Sequence, residues 1–230
     1  MHSTPTPSAI LVAHGSPADP VPQQAWMQAL AVRVRFWLGP GWQVRGTTLA
    51  MPGALEAAVA ALPGALIYPF FMAEGFFTRR QLPKRLAEAG VSAPRQLPAF
   101  GHDPGMPALL ARVVRDAGLT DGATVVLAAH GSQVSRASAT ITEEMAEHLR
   151  RDTGMTVRTG YVEEDPFLQD AARGIAGPSL CLPFFATRAG HVAEDVPAAL
   201  AEAGFTGKLL PAIGEHADAA RLIAAALQRA

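Results

Sequence analysis

The sequence has one cysteine, few aromatic residues and no long hydrophobic run. Cys181 stands alone among 230 residues, so an internal disulfide and a paired-cysteine zinc site are both excluded. No apolar stretch approaches the roughly 18 residues that a membrane-spanning helix requires. Residues 1–8 also lack the basic cluster and apolar run of a secretory signal. We therefore expect a cytoplasmic protein with no membrane partner.

Charge of either sign is also scarce. Charged residues make up 17% of the chain, and 19 Lys and Arg against 20 Asp and Glu give a formal net charge of -1. Binding to a phosphate backbone needs a concentrated basic face, so we expect no nucleic-acid partner. The sequence also lacks a phosphate-binding loop and the Rossmann glycine fingerprint.

Four short segments occur twice, in the same order and at nearly constant spacing. The pairs are His14-Gly-Ser with His130-Gly-Ser, Tyr68-Pro-Phe-Phe with Leu182-Pro-Phe-Phe, Leu86-Ala-Glu-Ala-Gly with Leu200-Ala-Glu-Ala-Gly, and Leu97-Pro-Ala-Phe-Gly with Leu210-Pro-Ala-Ile-Gly. Collinear matches of this kind indicate two copies of one unit. We therefore predict two domains, at residues 1–119 and 120–230.

Short apolar runs alternate with longer segments of helical periodicity within each copy. In the second copy this pattern predicts strands over 124–128, 156–161, 179–182 and 208–210, and helices over 135–152, 165–175, 192–203 and 215–228. Such alternation is typical of an α/β fold with a parallel sheet and helices on both faces. Ligands of these folds bind beyond the carboxyl ends of the strands. We expect the active site there, in a cleft between the two copies.

Three potential metal ligands follow successive strands of the second copy. His130 follows the first strand, Glu163 or its neighbour Glu164 follows the second, and His191 follows the third. Two imidazoles and a carboxylate suit a divalent first-row metal ion. A neutral imidazole, which ordinarily titrates near pH ~6.5, can also accept protons from a substrate. For each residue taken alone, a structural role at a turn is the alternative.

The first copy retains only His14 of this set. At an offset of 114 residues, Phe77 takes the position of His191, and Leu49 and Ala50 take those of the two glutamates. One imidazole without partners holds a metal ion poorly, so we expect the first copy to bind substrate instead.

A basic segment of the first copy, 78–85, provides candidate substrate-binding groups. It contains Arg79, Arg80 and Lys84, whereas the corresponding part of the second copy has Glu194 and Asp195. Clustered Arg and Lys suit a ligand with several carboxylates, through charge-assisted hydrogen bonds. A solvated helix face is the alternative.

These segments resemble those of the sirohydrochlorin chelatase family, the cobalamin and sirohaem branch of the class II tetrapyrrole chelatases. The resemblance covers both copies and is carried by Ala-His-Gly-Ser at 129–132, Val-Glu-Glu-Asp-Pro at 162–166 and Pro-Phe-Phe-Ala-Thr-Arg-Ala-Gly-His-Val at 183–192. It implies two tandem flavodoxin-like, chelatase-like domains. It also implies insertion of Co²⁺, in preference to Fe²⁺ or Ni²⁺, into a sirohydrochlorin-type ring without a permanently bound cofactor.

The resemblance also implies roles for individual residues. His130, His191 and Glu163 correspond to the metal ligands and catalytic groups, while His14 and the basic segment fall to substrate binding. The catalytic half is then the C-terminal one, because Phe77 replaces the second histidine of the first copy. We expect a monomer or homodimer, and a non-catalytic carrier of tetrapyrrole or metal is the alternative function.

Overall fold

The computed structural model describes residues 6–120, 122–187 and 191–230, with only the backbone of His191 and Val192. The chain divides into two compact α/β units. The first contains the described residues up to Asp103 together with Ala220–Ala230, and the second contains Pro104–Ala219 apart from the undescribed positions. Within the described residues, no helix is both long and apolar enough to span a membrane.

The first unit has a parallel sheet of three strands in the order β2-β1-β3. Its elements are β1 (Ser8–Ala13), α1 (Pro20–Leu38), β2 (Gln43–Thr48), α2 (Ala54–Ala61), β3 (Leu66–Pro69), a π-helix (Phe77–Gln81), α3 (Leu82–Glu88) and a 3-10 turn (Phe100–His102). Gln96 extends the sheet by a parallel bridge to Ile67 of β3.

The second unit has a parallel sheet of four strands in the order β5-β4-β6-β7. Its elements, in chain order, are α4 (Met106–Asp116), β4 (Thr124–Ala129), α5 (Ala137–Thr153), β5 (Thr156–Tyr161), α6 (Leu168–Ala172), β6 (Ser179–Pro183), a π-helix (His191–Asp195), α7 (Val196–Glu202), β7 (Lys208–Leu209) and a 3-10 turn (Ile213–Glu215). The last helix of the chain, α8, spans Ala219–Arg229. The predicted α/β fold with helix-flanked parallel sheets is confirmed.

The central strand of each sheet forms the core of its unit. All residues from Ala9 to Ala13 in β1 and from Val125 to Ala129 in β4 are buried, as continuous apolar runs in parallel sheets require. Ile10 and Val12 pack against Leu55, Leu82 and Leu86 from α2 and α3. Full burial of such a side chain stabilises the fold by about 1.5–3 kcal/mol.

The predicted helix over 165–175 is wrong in extent, because α6 contains only Leu168–Ala172. Residues ahead of α6 extend the sheet instead: Tyr161 N–H donates to Pro166 O at 3.0 Å and bridges to Phe167. The helix ends at Ala172, and Gly174, two residues beyond it, has left-handed backbone with φ of 69°. The helix predicted from residue 215 begins only at Ala219, because a 3-10 turn precedes it.

The compact units do not coincide with the predicted domains 1–119 and 120–230. The last helix of each sequence copy belongs to the other unit: α4 lies in the second unit and α8 in the first. Arg115 of α4 donates to the carbonyl of Asp152 at 3.2 Å. Arg229 of α8 pairs with the buried carboxylate of Asp103 at 3.3 Å. The repeat in the sequence therefore marks matching elements but does not reveal which helix completes which unit.

Two equivalent glycines offer a test of this packing, because a side chain at either position would meet backbone. A Cβ added at Gly101 would lie 1.9 Å from Met72 O, and one at Gly214 would lie 1.9 Å from Ala186 O. We expect Gly101→Ala or Gly214→Ala to lower the free energy of unfolding by about 1–3 kcal/mol, as overpacking does. Urea-induced unfolding followed by circular dichroism measures the change.

Gly41→Ala is the matched control, since nothing lies within 4 Å of a Cβ at that position. It should change the free energy of unfolding by less than about 0.5 kcal/mol. Equal losses for all three variants would contradict the close packing described here.

Candidate functional site

His130 and a carboxylate meet at the carboxyl edge of the second sheet. His130 follows β4 directly, and the N–H of Glu163, just after β5, donates to His130 O at 2.9 Å. Their side chains approach to 3.6 Å between His130 Nδ1 and Glu163 Oε2. The side chains are 42% and 44% exposed, so an incoming ligand can reach both. The ring of Phe185, from the segment after β6, lies 6.4 Å from the imidazole.

A glycine turn fixes the backbone at this edge. Gly131 has φ of 75°, a conformation that residues with a side chain rarely adopt. A Cβ there would lie 2.9 Å from Tyr161 Cβ and 2.9 Å from Glu164 Cγ. Its N–H donates to Ser138 Oγ at 3.2 Å, which ties the turn to α5. The strand therefore ends abruptly at His130.

The same turn selects the tautomer of His130. Its Nδ1 lies 3.0 Å from Gly131 O, and a carbonyl oxygen can only accept a hydrogen bond. Nδ1 is therefore the donor, which puts the acceptor lone pair of the neutral ring on Nε2. An imidazole in this state can bind a metal ion or accept a proton through Nε2.

The two neighbouring glutamates, which the sequence could not distinguish, make different contacts. Glu163 lies beside the imidazole, whereas Glu164 Oε1 accepts a hydrogen bond from the N–H of Ser132 at 3.0 Å. Glu164 thus holds the turn after His130, and Glu163 is the carboxylate next to the histidine.

Three residues that the sequence did not indicate as functional form a hydrogen-bonded group next to this edge: Tyr161, Thr159 and Glu143. The hydroxyl of Tyr161, the last residue of β5, donates to Glu143 Oε1 of α5 at 3.0 Å, and Thr159 donates to the same oxygen. Burial, followed by the charge of Glu143, raises the pKa of Tyr161, so it stays a hydrogen-bond donor. In the sequence, this group could have been suspected only from Tyr161, a polar residue at the end of a predicted strand.

His191, the third predicted ligand, lies at the first position of the second π-helix. Its side chain falls outside the described part of the structure, so its distance to His130 and Glu163 stays untested. Among the side chains that are described, no group of three His, Cys, Asp or Glu residues is placed to hold a metal ion. The structure thus brings together two of the three predicted groups.

The first unit repeats the histidine turn but covers it with an aromatic ring. His14 Nδ1 lies 2.8 Å from Gly15 O, and Gly15 has φ of 79°. The ring of Phe77 packs edge-on against His14 with centroids 4.2 Å apart. Phe77 also stacks on Phe71 at 6.2 Å and contacts the largely exposed Phe76.

Backbone hydrogen bonds show which residues of the first unit are equivalent to the two glutamates, and they differ by one position from the sequence-based expectation. Ala50 N–H donates to His14 O at 2.9 Å, as Glu163 N–H does to His130 O. The equivalent of Glu163 is therefore Ala50 rather than Leu49, because β2 and β5 are related by an offset of 113 residues. In either alignment, the first unit has no carboxylate at this position.

The three predicted basic groups are exposed in the first unit but differ in their partners. Arg79 pairs with Glu74 at 3.0 Å, and Lys84 of α3 lies 3.8 Å from Glu88. Arg80 is also exposed, and no carboxylate in the described ranges forms an ion pair with it. Of the three, Arg80 is the cation whose charge is not already balanced.

Comparison with known proteins identifies relatives of both halves. The CbiX family model matches residues 124–230. The structure of CbiX, the terminal enzyme for biosynthesis of siroheme in denitrifying bacteria, is 45% identical, with a TM-score of 0.88 over 97% of this chain and 99% of the other. No curated protein sequence matches significantly.

Two structures of SirB from Bacillus subtilis share the fold at lower identity. SirB with Fe³⁺ is 16% identical with a TM-score of 0.76, over 97% of this chain and 95% of the other. The sirohydrochlorin chelatase SirB of subspecies spizizenii in complex with cobalt is 18% identical with a TM-score of 0.66, over 97% and 93%.

Stability measurements can separate the two glutamates. Glu164→Ala removes the acceptor of the Ser132 N–H, so we expect a loss of about 1 kcal/mol in the free energy of unfolding. Glu164→Gln keeps an acceptor oxygen and should lose less. Glu163→Ala should change stability little, because its side chain is half-exposed and no hydrogen bond to it is described. A larger loss in Glu163→Ala than in Glu164→Ala would contradict this division of roles.

Proposed function

Because the chain belongs to the CbiX family, we propose that it is a sirohydrochlorin chelatase, an enzyme that inserts a divalent metal ion into a sirohydrochlorin-type ring. The observation that carries the proposal is the pairing of His130 with Glu163 at 3.6 Å on an accessible sheet edge. The 45% identical relative, which acts last in siroheme biosynthesis, matches the chain over almost its whole length.

The pair provides the donor atoms that a first-row metal ion prefers. An imidazole nitrogen and a carboxylate oxygen both bind Fe²⁺, Co²⁺ and Ni²⁺. We propose that His130 Nε2 and His191 receive the ion from solution, and that the half-exposed Glu163, whose carboxylate lies beside Nδ1, reaches the ion as third ligand by a change of side-chain rotamer. Tight binding is not required, because the ion has to leave for the ring.

The same imidazole suits the proton transfer. A tetrapyrrole ring loses two pyrrole N–H protons as a divalent metal enters, so the enzyme needs an acceptor close to the metal. Neutral His130 carries its proton on Nδ1, which faces Gly131 O, so once the metal has left Nε2 this nitrogen accepts one of the two protons and the ring becomes an imidazolium, while the second proton passes to solvent. The carboxylate of Glu163 stabilises that positive charge at short range.

The first unit contributes recognition of the ring in this proposal. Its strand-end histidine lacks a carboxylate neighbour and is covered by Phe77, so the metal chemistry falls to the second unit. Exposed aromatic rings suit the flat face of a macrocycle, and Arg79, Arg80 and Lys84 suit its carboxylates.

Fe²⁺ and Co²⁺ are the leading candidates for the metal, with Ni²⁺ third. The sequence resemblance favoured Co²⁺, while the 45% identical relative belongs to the biosynthesis of siroheme, an iron tetrapyrrole. Ligand type alone does not select among them, because imidazole and carboxylate bind all three.

The proposal predicts catalysed metal insertion. Sirohydrochlorin mixed anaerobically with Fe²⁺, Co²⁺ or Ni²⁺ should lose its free-ring absorbance faster with the protein than without it, at catalytic protein concentration and over many turnovers. The ratio of kcat/KM values ranks the metals. A carrier would bind the ring stoichiometrically without accelerating insertion, and that result would reject the enzyme.

The two histidine turns provide a matched pair for the same assay. His130→Ala removes the proton and metal acceptor, so kcat should fall by roughly 100-fold or more. His14→Ala removes the equivalent residue of the first unit, where no carboxylate is adjacent, and should reduce kcat only modestly. Equal losses of kcat in both variants would contradict the assignment of metal and proton transfer to the second unit.

Replacement of the basic residues should affect ring binding rather than turnover. Arg80→Ala removes an uncompensated charge and should raise KM for sirohydrochlorin with little change in kcat, as loss of uniform binding does. Arg79→Ala should have a smaller effect, because Glu74 already pairs with that guanidinium. Unchanged KM in both variants would identify the segment as a solvated helix face.

A further inference from the structure

The outer edge of β2 in the first unit has backbone groups that no neighbouring strand uses. Gln43 N–H donates to Pro7 O and Leu49 N–H donates to Ala13 O, so the odd-numbered residues of β2 face β1. The N–H and C=O of the even-numbered residues therefore face outward. In the described ranges, Val44 has no hydrogen-bond partner for either group.

A side chain already occupies part of this edge in the manner of a neighbouring strand. The carboxamide of Gln24, on α1, donates to Gly46 O at 3.2 Å and accepts from Thr48 N–H at 2.9 Å. These are the two contacts that the N–H and C=O of one residue of an added parallel strand would make. The edge is thus formed for strand pairing and remains open at Val44.

A groove of about 480 Å³ lies beside the open edge, between α1, α2 and β2. Alanines of both helices form much of its wall, and its polar lining contains three glutamines, Arg35 and Arg45, without any acidic residue. Neither arginine has an ion-pair partner among the described residues, and both are exposed. The groove therefore has space, backbone acceptors and donors, and uncompensated positive charge.

The equivalent edge of the second unit is closed. Arg150 of α5 donates twice to Val157 O, the counterpart of Val44, at 2.9 and 3.2 Å. Arg158, the counterpart of Arg45, donates to the carbonyls of Ala171 and Arg173, both at 3.2 Å. The strand carbonyl and the arginine at these two positions therefore have partners within the second unit, whereas their counterparts in the first unit are available to a ligand.

We propose that the open β2 edge binds an extended acidic segment of a partner protein, which adds to the sheet as a further strand. Backbone pairing at Val44 would give affinity, and Arg35 and Arg45 would select acidic side chains. An unprotected edge is otherwise an aggregation hazard, which proteins usually block as Arg150 does in the second unit. This binding site is separate from the His130 edge and does not depend on the proposed chelatase activity.

Fluorescence anisotropy with a short labelled peptide, in which glutamate alternates with valine, tests the proposal on the full-length protein. We expect saturable binding that Arg45→Glu weakens by at least about tenfold, the usual cost of losing a charge-assisted hydrogen bond. Arg151→Glu, an equal charge change in the second unit, should leave the affinity unchanged. The circular dichroism spectrum and the free energy of unfolding should stay the same in Arg45→Glu, which shows that this variant is folded.

Backbone pairing is tested separately from charge. Val44→Pro removes an outward N–H without breaking a bond to β1, and should also weaken binding by about tenfold. A peptide with N-methylated valines makes the same test on the unmodified protein, should the proline variant not fold. Three results would each overturn the proposal: no saturable binding at millimolar peptide, equal affinity for a peptide with lysine in place of glutamate, or equal affinity for the N-methylated peptide.

Discussion

A glycine for which the fold leaves no side-chain space follows the histidine at the end of each central strand. Gly15 and Gly131 both have left-handed backbone, and a Cβ on either would come within 3 Å of the neighbouring strand or the segment after it. The chain therefore turns at the sheet edge with the histidine as the last residue in line. The turn also presents the glycine carbonyl to Nδ1, which fixes the tautomer of each imidazole. The glycine turn thus determines both the position of each histidine and which of its ring nitrogens carries the proton.

The sequence predicted the strands of the second copy within one residue, and β4 and β6 are indeed short apolar runs bounded by turn residues. The prediction was wrong where tertiary contacts determine the local structure. Residues 165–167 do not join the expected helix, because Pro166 O accepts the N–H of Tyr161. The placement of α4 and α8 was equally hidden, since packing partners leave no local signature. For the site, spacing indicated His130 and the pair of glutamates. Only hydrogen-bond geometry shows that Glu163 approaches the imidazole while Glu164 holds Ser132.

The two units present different side chains on the same backbone at the carboxyl edge of the sheet. Ala50 N–H and Glu163 N–H make the same bond to the histidine carbonyl, so the backbone is equivalent and only the side chain differs. In the first unit Phe77 packs on His14 at 4.2 Å, which replaces a polar neighbour with an apolar one. An imidazole covered by an aromatic ring loses access to a cation on that side. The asymmetry therefore lies in the side chains at the strand ends and not in the strands that carry them.

The position shared by Phe77 and His191 has its own structural cause. Each residue begins a π-helix of five residues, and in the first unit Leu82 N–H bonds to Phe77 O, one residue further back than in an α-helix. Pro83 follows one residue later, and its ring would clash with the carbonyl of Arg79 in regular α geometry. A wider turn ahead of the proline relieves that clash, and such turns are frequent at functional sites. Pro197 stands in the same relation to His191. The same wider turn thus precedes the same proline in both units, whether phenylalanine or histidine is its first residue.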